Sequence, residues 1–228
     1  MKNNQTLLIA IDGPSSSGKG TIAKKIAKHF NLPCLNTGAL YRAVAFLALE
    51  NNLDLEGDIQ KIIPLCDKIL QSQIVATCSR DVDFDLESPK IHNEKIGKAA
   101  SIVAANPEIR QNLFKLQRRF ADLGIKNNGG AVLEGRDIGT TICPDANHKF
   151  FINADVEVRA QRRFFQSLKN DPNANLDLIL EQLKNRDEQD KNRQSSPLKK
   201  DNDAIEIDTS NMNVEEVFKK ILSDISGS

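Results

Sequence analysis

Neither sign of charge is in excess in this chain of 228 residues. Lys and Arg number 31, Asp and Glu number 31, and the formal net charge is +0. That balance argues against a protein that attracts nucleic acid over its whole surface, so affinity for phosphate must reside in a local site. Long apolar runs are missing too. Leu7–Ile11 is halted at once by Asp12 and Gly13, which is too short to cross a membrane or to form a signal-peptide core, and no small-residue cleavage pattern follows. The four cysteines (Cys34, Cys66, Cys78, Cys143) contain no C-x-x-C pair and the three histidines (His29, His92, His148) are scattered. Structural zinc and a disulfide framework are therefore not expected, and the cysteines read as the reduced thiols of a cytoplasmic protein. There is no tryptophan and one tyrosine, Tyr41, so an aromatic ring at a turn stands out. Internal repeats and low-complexity tracts are absent. What remains is an ordinary globular composition, 39% hydrophobic and 27% charged with a mean hydropathy of −0.41, in one domain large enough to bury roughly 70% of its unfolded surface.

The pattern along the chain is strand, turn, helix. Leu7–Ile11 suits a parallel strand buried on both faces. A glycine-rich turn follows, then a helical stripe of Ile22, Ile26 and Phe30 beside Ala23 and Ala27. Leu32–Leu35 leads into a helical stretch from Leu40 to Leu49. Ala131–Leu133 and Phe150–Ile152 are further short strands, and Ala204–Asp208 alternates as a strand near a sheet edge does. Asn106-Pro107-Glu108 opens a long helix with cap and first-position proline in order; its stripe is Ile109, Leu113, Leu116, Phe120 and Leu123, and Gly124 is expected to end it. The last helix carries Val214, Val217, Phe218, Ile221, Leu222 and Ile225, opened by a capping box of Asn213 and Glu216. The implied fold is α/β with a mainly parallel sheet. Two regions break the rhythm: Gln73–Glu87, read as a small antiparallel hairpin inserted between helices, and the polar, arginine-rich helical region from Val158 to Lys200.

The strongest chemical signal is Gly13-Pro14-Ser15-Ser16-Ser17-Gly18-Lys19-Gly20-Thr21. It has the spacing of a phosphate-binding loop, except that a glycine separates Lys19 from Thr21. Such a loop turns successive N–H groups toward phosphate oxygens, and the helix beginning near Lys19 adds its positive end. Lys19 supplies a mobile charge for the outer phosphates. No Asn-Lys-x-Asp base-reading motif is present, and Asp54-Leu-Glu-Gly57 lies in a polar loop, so a GTPase is not indicated. Two other turns fall at carboxyl ends of strands, where ligands bind in open parallel sheets. One is Asn36-Thr37-Gly38-Ala39-Leu40-Tyr41-Arg42; alone, its Tyr-Arg pair reads equally as a half-exposed ring and a solvated charge. The other is Glu134-Gly135-Arg136-Asp137-Ile138-Gly139-Thr140. Further on, the apolar stripe Leu176, Ile179, Leu180, Leu183 continues into Arg186, Asp190 and Arg193, a face that either lines a polar cleft or meets solvent. Arg159, Arg162 and Arg163 form another basic cluster. Phosphoryl transfer needs that kind of charge, with no strong base.

Together these residues resemble the bacterial cytidylate kinases of the nucleoside monophosphate kinase group, over nearly the whole chain. The resemblance runs through Ile11-Asp12-Gly13-Pro14, Gly18-Lys19-Gly20-Thr21, Thr37 to Arg42, Ala99-Ala100-Ser101, Arg110, Gly135 to Thr140, Arg186-Asp187, Asp190, Asn192-Arg193 and Pro197-Leu198. It implies a phosphate-loop kinase fold: a five-stranded parallel sheet flanked by helices, a small antiparallel β insertion and a helical lid. In residue numbers this is one domain, 1–228, with core 1–65, 98–157 and 201–228, a monophosphate-binding insertion at 66–97 and a lid at 158–200. It implies ATP in the cradle Gly13, Pro14, Ser15, Ser16, Ser17, Gly18, Lys19, Gly20 and Thr21, with Arg159 and Arg163 beside it. Mg2+ would be held mainly through ATP and water, with no protein ligand set. CMP or dCMP would be held by Thr37 with Tyr41, Arg186 and Asp190 around the ribose. Arg42, Arg136 and Arg193 would take its phosphate, and Ser101, Arg110 and Asp137 would read the cytosine edge. Lys19, Arg136 and Arg193 would be catalytic. The expected state is a monomer in the cytoplasm, acting on small molecules in pyrimidine nucleotide metabolism. Three positions depart from the family: Asn36-Thr37-Gly38 replaces Asp-Ser-Gly, His92 stands where an arginine is common, and Glu188-Gln189 follows Asp187 where a basic residue is usual. The alternatives left open are a kinase for UMP and CMP together, a kinase for a non-nucleotide alcohol, and a nucleotide-binding regulatory module without turnover.

Lys19→Met should remove at least ~99% of turnover while leaving the fold intact, because a point charge at the transferring group contributes on the order of a thousandfold in rate. A pure, folded variant keeping more than about a tenth of the wild-type kcat would refute the phosphate-loop assignment.

Overall fold

The computed structural model describes residues 6–78, 86, 88–169 and 171–227, without the side chains of 70–78. Five strands, β1 (Leu7–Asp12), β2 (Cys34–Asn36), β3 (Gly130–Gly135), β4 (His148–Asn153) and β5 (Ile205–Asp208), form one sheet in the order β2-β3-β1-β4-β5. The registers of β1 with β3, β1 with β4 and β4 with β5 are all parallel. The central strand β1 and its neighbour β3 are buried almost throughout, as expected for strands covered on both faces. At β5 only Ile207 is buried, which suits its edge position; Ile205, two residues earlier in the alternation, is exposed.

The chain divides into two compact units, Met1–Cys34 with Gly124–Ser228, and Leu35–Leu123. In the first, α1 (Lys19–Phe30) and α8 (Val214–Ser226) pack over the sheet. Ile9, Ile11, Ile22, Ile26, Val132, Phe150, Ile207 and Ile221 share one core there. The capping box is present in full: the Asn213 side chain accepts from Glu216 N and the Glu216 carboxylate accepts from Asn213 N. Two further helices, α6 (Val156–Ser167) and α7 (Leu176–Asn192), pair through Ala160, Ile179 and Leu183. The second unit holds α2 (Thr37–Glu50), α3 (Ile59–Cys78), a 3-10 turn at Pro89–Ile91, α4 (Glu94–Ala105) and most of α5 (Pro107–Asn128).

Two expectations need correction. Gln73–Cys78, expected as the first arm of a hairpin, is the end of α3. The buried residues Ile62, Cys66 and Ile69 set a helical spacing ahead of it. Ile74-Val75-Ala76 does not alternate, and a short apolar run cannot by itself tell a strand from a helix. The rest of that hairpin lies, apart from Leu86, outside the described residues. Gly124 does not end α5, which runs on to Asn128. A Cβ at Gly124 would lie 2.8 Å from both Ala131 Cβ and the Gly130 carbonyl oxygen, so the glycine permits close packing on β3. The chain turns instead at Gly129, with φ +76°, a conformation glycine adopts freely.

Gly13, directly after β1, has φ +150°, and a Cβ there would stand 2.0 Å from the Ile152 carbonyl oxygen of β4. Gly13→Ala should lower stability by roughly 2–4 kcal/mol, combining a strained backbone with an overpacked contact, seen as a fall in Tm of at least ~4 °C. A Tm within ~1 °C of wild type would contradict that close approach.

Candidate active site

The loop between β1 and α1 has the shape a phosphate requires. Ser16 and Gly18 take positive φ, 60° and 90°, and α1 begins at Lys19 with no side chain capping it. Its first N–H groups are therefore left to a ligand or solvent. The Ser17 hydroxyl is buried with no hydrogen-bonding partner among the described residues, and a Cβ at Gly18 would meet nothing within 4 Å. A buried, unsatisfied hydroxyl beside open space fits the oxygens of a phosphate chain. Gly20, the residue that departs from the usual loop spacing, has a steric reason. A Cβ there would lie 2.9 Å from Oε1 of Glu134, itself buried at the end of β3.

Lys19 is buried, and its ammonium donates to the Pro14 carbonyl at 3.0 Å. Burial, reinforced by the Arg136 and Arg186 guanidinium groups and opposed by Glu134 and Asp190, pushes its pKa from 10.5 down to about 7. The cations around it come from two places in the chain. Arg136 follows β3, and its Nε donates to Asp190 Oδ2 at 2.7 Å. Arg186 and Asp190 are on α7, and Arg193 caps its end. Arg193 Nη2 stands 3.8 Å from Asp137 and Nη1 3.8 Å from Asp190, while its Nε donates to the Ser196 carbonyl. Burial works against the Asp190 carboxylate, but Arg136, Arg186 and Arg193 outweigh it and hold its pKa below the usual value. So Lys19, Arg136, Asp137, Arg186, Asp190 and Arg193 form one charged cluster, and the α7 face continues from apolar packing into it.

Arg159 is almost fully buried on α6. Its Nε donates to the Ala154 carbonyl at 2.8 Å and Nη1 to the Ser15 carbonyl at 3.2 Å. Asp187 takes both terminal nitrogens, at 3.2 Å and 2.5 Å. Arg162 turns to Thr209, donating to its hydroxyl and carbonyl. Arg163, half buried on the same helix, joins neither arrangement among the described hydrogen bonds.

In the second unit, Asn36 caps α2, its side chain accepting from Ala39 N at 3.2 Å. Asparagine caps a helix as well as aspartate does, so the departure at this turn keeps that interaction. Thr37 and Tyr41 are buried on α2, and the Arg110 guanidinium lies 5.6 Å from the Tyr41 ring centroid. Arg110 also donates to the Ala104 carbonyl at 3.3 Å. Arg42 donates to the carbonyls of Ile91 and Asn93 at 2.9 Å and 3.1 Å. The Ser101 hydroxyl donates to the Gly97 carbonyl at 3.2 Å, which leaves its oxygen as an acceptor. His92 Nε2 lies 2.9 Å from the Leu86 carbonyl oxygen, a local turn contact.

Sequence reasoning missed Asp12, Glu134 and Asp187 as parts of this site. Asp187 carried a signal, since it lies one residue from Arg186 in an arginine-rich helix, but its partner is 28 residues away. Asp12 and Glu134 look from sequence like the polar ends of strands.

Fold and site together define a phosphate-loop α/β protein with a cluster of cations beside the loop. The chain belongs to the cytidylate kinase family, whose family model matches residues 9–227. A cytidylate kinase of Bartonella tribocorum is 43% identical over 212 residues, covering 92% of this chain and 90% of that protein. Those of Azorhizobium caulinodans and Bacillus cereus are 43% and 36% identical, covering 95% and 98% of this chain and 97% and 98% of theirs. Among solved structures, an uncharacterized protein from Eubacterium ventriosum shares the fold, with a TM-score of 0.56 at 15% identity over 97% of this chain and 99% of that one.

Burial and the neighbouring guanidinium groups lower the Lys19 pKa to about 7, so at pH 8 the unliganded lysine is short of a full proton. Anionic phosphates favour its charged form, so binding must draw a proton from solution. Calorimetry with ATP at pH 8, in buffers of different ionisation enthalpy, should give an uptake of about half to one proton that Lys19→Met abolishes. Identical heats in both buffers would rule out the lowered pKa.

Proposed function

We propose that this protein transfers the γ-phosphate of ATP to CMP or dCMP, giving ADP and CDP or dCDP. The observation that carries the reading is the gathering of Lys19, Arg136 and Arg193 about the phosphate loop, with Asp190 and Asp137 between the arginines. In this reading the loop Gly13–Thr21 cradles the triphosphate, and Lys19 and the arginines neutralise charge on the oxygens of the moving phosphoryl group. No covalent intermediate on the protein is needed. Mg2+ would be held through ATP and water rather than by a protein ligand set, and would supply charge neutralisation to the phosphates.

Tyr41, Arg186 and Asp190 hold the ribose, with Thr37 beside Tyr41. Arg42, Arg136 and Arg193 hold the acceptor phosphate, and Arg159 and Arg163 serve the ATP side. Ser101, Arg110 and Asp137 read the base. Cytosine offers an amine that donates and a ring nitrogen that accepts, and uracil reverses both. Ser101, with its proton given to Gly97, and the Asp137 carboxylate are acceptors for the amine, while Arg110 donates to the acceptor edge. The 66–97 segment acts as the monophosphate-binding insertion and 158–200 as a lid. The protein works as a cytoplasmic monomer in pyrimidine nucleotide metabolism, with neither nucleic acid nor membrane as a partner. No helix among the described residues is long and apolar enough to cross a membrane.

Each base mismatch leaves a buried polar atom unpaired, at about 1–3 kcal/mol. Two of them imply roughly 30-fold or greater preference for CMP over UMP in kcat/KM. Measuring kcat/KM for CMP, dCMP, UMP and AMP on one preparation decides the matter. Equal values for CMP and UMP would make this a broad pyrimidine kinase, and a preference for AMP would refute the base assignment.

A further inference from the structure

Asp12 is the last residue of β1 and is buried, directly before the phosphate loop. Its carboxylate does not point at that loop's N–H groups. Oδ1 accepts from Ile138 N at 2.8 Å and Oδ2 from Gly139 N at 2.8 Å, across 126 and 127 residues of sequence. These are the two N–H groups that follow Arg136 and Asp137, at the opening of the π turn Ile138–Ile142. Asp137, the cap residue of that turn, makes no side-chain cap hydrogen bond. Asp12 thus does from another strand what a cap does locally, and it leaves the Asp137 carboxylate to other partners, Arg193 among them. The space is closed around the contact. A Cβ on Gly139 would lie in ordinary contact with Asp12 Oδ2, at 3.5 Å, and 3.3 Å from Lys149 Cδ, so the carboxylate and the lysine stem flank this N–H closely.

We infer that Asp12 is a positioning residue for the monophosphate side of the reaction. It touches no substrate, and by clamping Ile138 and Gly139 it fixes the backbone that carries Arg136 and Asp137 relative to the phosphate loop. The inference rests on the assignment of that turn to CMP. A carboxylate suits the task because it offers two acceptors to two parallel donors. Asparagine at the same place turns one of them into an amide donor facing an N–H. Burial raises the Asp12 pKa to about 6, opposed by the two N–H groups of Gly139 and Ile138; Asp137 adds to the rise and Lys19 opposes it. Lys149, whose stem lies beside Gly139, is paired with Asp201 at 3.3 Å.

The clamp can be watched without substrate. In amide NMR spectra of the wild-type protein between pH 4.5 and 8, the Ile138 and Gly139 resonances should move together with one midpoint near 6, shifting upfield as Asp12 protonates. In Asp12→Asn that shared transition should vanish. The variant's kcat/KM for CMP should fall at least tenfold, with the KM for ATP within about threefold of wild type. Amides that do not titrate in the wild type would overturn the inference, as would an Asp12→Asn enzyme whose ATP and CMP constants worsen equally. If the variant does not fold, the wild-type titration alone decides. A wild-type enzyme that titrates as expected yet shows no preference for CMP would refute the assignment of the turn to CMP, leaving the clamp itself intact.

Discussion

Holding several cations out of water around one short loop is the constraint on which the rest of this structure depends. Lys19 and Arg159 are buried, and the side chains of Arg136 and Arg193 keep only 16% and 9% of their exposure. Stripping water from an ion costs several kcal/mol even after relaxation, and a partner repays that only when geometry and hydrogen bonds are good. The chain meets the demand unevenly. Arg159 has Asp187, Arg136 has Asp190, and Arg193 stands between Asp190 and Asp137. Lys19 donates only to the neutral Pro14 carbonyl among its described hydrogen bonds, and burial with two guanidinium groups outweighs the help of Glu134 and Asp190. The shortfall of negative charge therefore falls on the residue at the mouth of α1, where phosphate oxygens are best placed to supply it.

The sheet makes this economical in sequence. Parallel order β3-β1-β4 places the exits of three strands side by side, so the loop after β1, the Arg136 turn after β3 and the helix after β4 emerge at one edge. Close approach at that edge leaves little room. Gly13 yields to the Ile152 carbonyl and Gly20 to Glu134. These small residues are spatial requirements of neighbours that lie more than a hundred residues away in the chain.

Features governed by local periodicity were legible in the sequence. Buried β1, the amphipathic α1, the Asn106 cap ahead of Pro107, the capping box of α8 and the edge character of β5 all follow from residues within a turn or two of one another. The phosphate loop was legible for the same reason, as was the α7 face, where a fixed angular spacing carries Arg186 and Asp190 onto one side. Features fixed by distant partners were not legible. Nothing local distinguishes Gly124 as a packing glycine from a helix stop; that depends on Ala131 and Gly130. Asn36 looked like the loss of a carboxylate because the cap it supplies at Ala39 N is indifferent to charge. Continuation of α3 through Gln73–Cys78 falls in the interval where an apolar run of strand length fits either element.

Arg159 shows why reading charge alone is insufficient near a phosphate site. Sequence places it as one more cation for ATP, but three acceptors already hold it: the Ala154 carbonyl at the end of β4, the Ser15 carbonyl in the loop, and Asp187 on α7. A cation whose counter-charge is in place contributes little net field to an incoming anion, whereas its hydrogen bonds fix geometry whether or not a ligand is bound. Arg159 therefore ties the loop to the arginine-bearing helix, and Lys19, whose charged form is the less well supported of the two, is the cation that gains most from an incoming phosphate. This division of labour has an electrostatic logic. If every cation in the cluster were left as short of negative charge as Lys19, like-charge repulsion in a dry interior would cost more than the fold could offset. If every one were paired as fully as Arg159, nothing in the cluster would favour a polyphosphate over water. Pairing the arginines and leaving the lysine short lets the apo protein stay folded while keeping one charge in reserve for the ligand.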